Sequence, residues 1–176
     1  MTTKQYQLLE KIFGKSFLMI KEYTSHSRNH SYMGGIERDK LRVKETAEVF
    51  TPTPLVQEML DKLEKENSEL FQNPTKTFLD PSCGDGQFLS EVVIRKLELS
   101  NCTLEHALST TYGVDLMEDN VKLCKERLAG PNPTQEILDI LDNNIVCADA
   151  LTYHYRFDGT PPYMTAVELK MREFFS

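Results

Sequence analysis

An α/β fold, a three-stranded parallel half-sheet with flanking helices behind an N-terminal helical arm, is what this 176-residue sequence predicts. Three observations carry the prediction. Short β-prone runs at Thr77-Phe78-Leu79, Tyr112 to Leu116 and Asn144 to Leu151 alternate with stretches whose apolar residues recur three or four apart. Each run carries a carboxylate at its exit: Asp80, Asp115 and Asp149. The first is followed by a glycine-bearing turn, Cys83-Gly84-Asp85-Gly86, that opens a helical pattern. Strand, tight turn and helix form the first half of a Rossmann-like unit, and such sheets bind ligands where the strands end.

The elements follow in order. Residues 5–23 place Tyr6, Leu9, Ile12, Phe13, Phe17 and Ile20 on one helical face, with Gly14 as a weak point. That face packs on this domain or on a partner. Residues 25–35 are polar and turn-rich and predict a loop. His26 and His30 stand four apart, but their Ser, Asn and Gly neighbours argue against a helix and so against a metal site. Arg28, Arg38, Lys40, Arg42 and Lys44 either meet phosphates or form a solvated surface. Phe50-Thr51-Pro52 leads to Thr53, placed to cap a helix, and Pro54 suits its first position. Val56, Met59, Leu60 and Leu63 make the apolar face of that helix. Residues 65–76 are charged and read as a connection.

After the first strand, Gly84 and Gly86 can take positive φ and leave bare backbone for a ligand. A carboxylate at Asp80 suits an ammonium group better than a pyrophosphate. The helix from Gln87 buries Phe88, Leu89, Val92, Val93 and Leu97, and a short helix capped by Thr103 follows. Asp115, thirty-five positions after Asp80, ends the second strand, where a carboxylate can accept from both hydroxyls of a ribose or cap the next helix. Met117, Val121, Cys124 and Leu128 stripe that helix, and residues 133–143 form another, burying Ile137, Leu138 and Leu141. Residues 165–174 predict a terminal helix.

Composition bounds the rest. Hydrophobic residues are 40% and charged residues 27%, as in soluble globular chains. The length suffices for one domain. No apolar run reaches the ~20 residues of a membrane span and no signal peptide opens the chain. Cys83, Cys102, Cys124 and Cys147 lack metal-type pairing, so free thiols in a cytoplasmic chain are expected, with no metal. The net charge of −7 argues against a DNA-binding surface over the whole molecule. Residues 1–50 carry nine Lys/Arg against six Asp/Glu, and the remainder eleven against twenty-one, so nucleic-acid contact belongs near the N-terminus or on another chain.

Two motifs together carry a resemblance. Asp80-Pro81-Ser82-Cys83-Gly84-Asp85-Gly86-Gln87-Phe88-Leu89, preceded by Glu48-Val49-Phe50-Thr51-Pro52, resembles the cofactor-binding part of the N6-adenine-specific DNA methylases of restriction-modification systems. The likeness covers residues 42–155. It implies S-adenosylmethionine as cofactor. Asp80 with Pro81 would hold the amino-acid end beside Gly84 and Gly86, and Asp115 with Leu116 the ribose side. Asp149 with Ala150 would meet the adenine, while Phe50 packs nearby and Thr51 approaches the methionine part. The family's target-base motif is Asp, Asn or Ser, then Pro-Pro and an aromatic. Thr160-Pro161-Pro162-Tyr163 matches three of those four positions.

Thr160 lies only eleven positions after Asp149, too few for a parallel crossover and a new strand, so an ordinary turn is the expectation there. The family's later strands and target-recognition part are expected to be missing. The layout expected is a helical arm over residues 1–45, a cofactor-binding core over 46–155 and a tail over 156–176. The first strand should then expose an edge that a second copy, another chain or a terminal helix covers. Two functions follow from the likeness: the cofactor-binding part of an adenine-specific DNA methyltransferase completed by a partner or further segment, or a non-catalytic protein that binds cofactor or a protein partner.

Overall fold

A computed structural model describes residues 14–29 and 51–158. The element order is α1 (Lys15–Asn29), α2 (Thr53–Glu66), β1 (Phe78–Asp80), α3 (Gln87–Ser100), α4 (Leu104–Ser109), β2 (Thr111–Asp115), α5 (Glu118–Ala129), α6 (Gln135–Asn144) and β3 (Ile145–Cys147). The strands form one parallel sheet ordered β1-β2-β3. This is a partial Rossmann-like α/β fold, as the strand–turn–helix pattern predicts. Asp80 pairs in register with Gly113, and Asp115 with Cys147, so the strand exits lie along one edge of the sheet.

The main core joins α1, α3, α4, α5 and α6 through Tyr23, Leu89, Val93, Leu97, Leu108, Cys124, Leu128 and Leu141. A second cluster joins α2 to α3 through Val56, Leu60, Phe71 and Val92, with Phe78 packed against it. Gly113 sits where space is tightest: a Cβ there would lie 2.8 Å from Leu89 Cδ1 and 2.9 Å from Cys83 Sγ. The strand can cross beneath the glycine turn only without a side chain at that point.

Four expectations change. Residues 25–29 continue α1 rather than starting a loop. Their polar side chains are used by tertiary partners: Ser27 Oγ donates to Arg127 O (3.3 Å), and Arg28 makes a two-bond pair with Glu91 (2.9 and 3.0 Å). Arg28 is therefore committed to a carboxylate. Thr53 does not cap α2; Pro52 takes that position without a side-chain bond, and Thr53 Oγ1 accepts from Gln87 Nε2 at 2.9 Å. Of the α2 face, Val56 and Leu60 are buried but Met59 and Leu63 are exposed, forming with Leu55 an outward stripe. Leu138 of α6, expected inside, is also exposed, whereas Ile137 and Leu141 are buried. α2 packs chiefly on α3, and that narrow contact buries fewer positions than its periodicity allows.

Among the described residues, no helix is long and apolar enough to cross a membrane. No group of His, Cys, Asp or Glu there could hold a metal ion. His26 Nε2 lies 3.0 Å from Glu126 O; His30 falls outside the described residues, as do the arm before Gly14 and the 165–174 helix.

Candidate functional site

The exit of β1 begins the site. Asp80 Oδ1 accepts from Ser82 N at 3.0 Å, which turns the chain through Pro81. Burial pushes the Asp80 carboxyl above its usual range; the Ser82 bond opposes this and the Asp115 charge adds to it. A carboxylate so placed is stabilised by any cation that reaches it.

The glycine turn is held from several directions. Cys83 N donates to Val114 O at 3.0 Å, Gly84 N to Asp115 Oδ2 at 2.9 Å, and Gly86 N to Cys83 O at 2.8 Å. Gly86 has φ +79°, and a Cβ on it would lie 2.6 Å from Cys124 Sγ and 3.2 Å from the Cys124 backbone. Both its conformation and its contact with α5 exclude a side chain.

Asp115 is 7% exposed. Besides Gly84 N, it accepts from Met117 N (2.9 Å) and Asn120 Nδ2 (3.2 Å) through Oδ1. It therefore organises the start of α5, the structural role weighed for it from the sequence. A carboxylate offers about four acceptor positions, so roughly one remains for an incoming hydroxyl rather than two. Leu116 stands beside it 65% exposed, an apolar surface at the strand exit.

Asp149 follows β3 on an exposed turn. Its Oδ1 accepts from Leu151 N (2.9 Å), and its main-chain oxygen from Thr152 N and Tyr153 N. Ala148 N donates to Asp115 O at 2.9 Å, which ties this turn to β2. Ala150 O accepts from Tyr155 Oη at 2.9 Å.

The structure thus gathers Asp80, Gly84, Gly86, Asp115, Leu116 and Asp149 at the exits of three neighbouring strands. Thr51 is partly buried just ahead of α2. Phe50 and Thr160-Pro161-Pro162-Tyr163 lie outside the described residues.

Over 109 residues the chain is 30% identical to the type II methyltransferase M.VspI of a Vibrio species (strain 343). The matched stretch is 62% of this chain and 22% of that protein, so the chain spans less than a quarter of its relative's length. No family model matches the sequence, and no solved structure matches it.

Sequence reasoning missed the residues beneath the turn. Arg127, wholly buried, pairs with Asp85 (Nη2 to Oδ2, 2.6 Å) and donates through Nη1 to Gln87 Oε1. The signal was present: Arg127 lies three positions after Cys124, on the buried stripe of α5, where a cation requires a partner.

Proposed function

We propose that this chain is the S-adenosylmethionine-binding part of an adenine-specific (N6) DNA methyltransferase, acting with a partner chain or a further segment. One observation carries the reading. Asp80 and Asp115 end adjacent parallel strands on either side of a positive-φ glycine turn, and Asp80 is a carboxylate whose environment favours a cationic ligand. The similarity to a type II methyltransferase agrees with it.

In this reading Asp80 receives the ammonium of the cofactor's amino-acid end. The Gly84–Gly86 turn admits that end against bare backbone, with Thr51 on the opposite side. Asp115 offers its remaining acceptor position to one ribose hydroxyl, and Leu116 gives the ring an apolar surface. Asp149 accepts from the exocyclic amine of the adenine. When bound, the cofactor supplies an electrophilic methyl group on a sulfonium. The chain's own contribution is positioning. DNA would be engaged near the N-terminal residues or by a partner, and a second copy or another chain would pair along the outer edge of β1.

Calorimetric titration of the full chain with S-adenosylmethionine tests the reading, followed by a methyl-transfer assay on DNA. Saturable one-to-one binding that Asp80→Asn abolishes is the expected result; absence of binding overturns it. Binding without transfer, with or without added partner, would favour a non-catalytic cofactor-binding protein instead. Sedimentation as a stable monomer would remove the paired edge from the proposal.

A further inference from the structure

The buried polar chain beneath the turn runs from α5 to the start of α2. Arg127, on the last turn of α5, has no exposed side-chain surface, and Asp85 is 6% exposed. Their pair at 2.6 Å is joined by the bond from Arg127 Nη1 to Gln87 Oε1. Gln87 Nε2 in turn donates to Thr53 Oγ1 at 2.9 Å. The other side of Arg127 is fixed too, because its main-chain oxygen accepts from Ser27 Oγ of α1 at 3.3 Å. One guanidinium therefore links the glycine turn at Asp85 with Gln87 at the start of α3 and, through Gln87, the first residue of α2. The turn follows directly on Asp80 and Pro81, and Thr53 lies two positions after Thr51.

A fork of donors in fixed geometry is what such a link requires. Arginine can grip a carboxylate and an amide oxygen at once, whereas lysine is a point charge on a flexible stem. At the β3 exit, Asp149 is held by Leu151, Thr152 and Tyr153 of its own turn.

We infer that Arg127 is a positioning residue that fixes the spacing between the glycine turn and the Thr51–Thr53 segment, so that the amino-acid end of the ligand depends on it and the nucleobase end does not. This rests on the functional reading above for the ligand's orientation, but the coupling of the two segments can be measured without any ligand.

The experiment uses the full chain as wild type, Arg127→Lys and Thr53→Val. The first variant keeps the charge and loses the fork; the second cuts the link at its far end with little change of shape. S-adenosylhomocysteine and adenosine are titrated against each by calorimetry. Amide exchange is followed at Gly86, Ser90, Leu55 and Val56, whose N–H groups bond within the turn and the start of α2. Arg127→Lys should weaken S-adenosylhomocysteine about tenfold and adenosine less than about twofold. Thr53→Val should act in the same direction by about threefold. Both variants should speed exchange at Leu55 and Val56. Equal losses for both ligands would mark a merely structural residue and overturn the inference, as would unchanged exchange in both variants. If Arg127→Lys fails to fold, Thr53→Val decides alone. If the wild type binds neither ligand, the functional reading fails while the exchange data still decide the coupling.

Discussion

Two cations are buried near opposite ends of α3, and their surroundings differ in kind. Arg127 lies under the glycine turn against Asp85, charge against charge. Lys96, near the other end of the helix, donates to Lys76 O (2.7 Å) and Thr110 Oγ1 (2.5 Å) and sits 5.0 Å from the centre of the Phe78 ring. Both residues are 0% exposed, yet among the described residues no carboxylate pairs with Lys96. Burial depresses both groups. For Arg127 the Asp85 charge opposes that shift, and a guanidinium stays protonated in any case. For Lys96 burial dominates and pushes the amine down to about 8, against an opposing contribution from Cys102. The side of the sheet that forms the candidate site is fixed by a permanent ion pair. The far side is closed by an amine that can lose its proton in mild base and still donate.

The largest test of that contrast is Arg127→Met. It leaves Asp85 buried without its cation, and should cost about 3–5 kcal/mol in urea unfolding. A cost no greater than that of Lys96→Met would break the comparison.

Lys96→Met should be close to neutral at pH 7, because it removes a buried charge that only neutral oxygens satisfy. Its clearest effect is on pH dependence. The folded pKa of about 8 lies below the unfolded value near 10.4, so between those limits the unfolded chain binds more protons. Stability from this group therefore rises as pH increases from about 8 to about 10.4, by roughly 1–3 kcal/mol. Thermal unfolding of wild type against Lys96→Met across that range should show the rise in the difference between the two curves. Parallel curves would mean that Lys96 does not titrate in this window.

The smallest effect on stability belongs to Asp80→Asn. The folded state favours the protonated carboxyl, so this group's stabilisation is present at low pH and lost as pH rises through its raised pKa. Removing the charge should therefore stabilise the ligand-free protein at pH 7, by less than about 1 kcal/mol, while abolishing S-adenosylmethionine binding. Destabilisation on denaturant titration would contradict the assignment of Asp80 as a charge held for a ligand.

The strands and the turn were legible because their signals are local. A β-prone run, an exit carboxylate and two glycines need no partner to be read. The Thr103 cap was legible for the same reason, and its side chain accepts from His106 N at 3.2 Å. Phe71 was not: with only Leu70 beside it as a second apolar residue in the charged connection 65–76 it shows no periodicity, yet it is fully buried and stacks on Phe78 at 5.3 Å. Its burial comes from the α2–α3 contact, which no local pattern encodes. The helical run at residues 25–29 failed in the same way, since Ser27 and Arg28 are satisfied by α5 and α3. Within the candidate site, the positions of Asp80 and Asp149 were legible. The sharing of Asp115 among three internal donors was not, because Asn120 Nδ2 reaches it only once α5 is placed.

Two sulfurs lie sealed between the glycine turn and α5. Cys83 is 5% exposed and Cys124 0%, whereas Cys147 is open at the surface. Contact with Cys124 and then burial hold the Cys83 thiol strongly protonated. A maleimide dye should meet Cys147 at once and the sealed pair only when the turn lifts away from α5. The labelling rate of those two thiols is thus a clock for the opening of the turn, and any molecule that latches it shut should slow that clock.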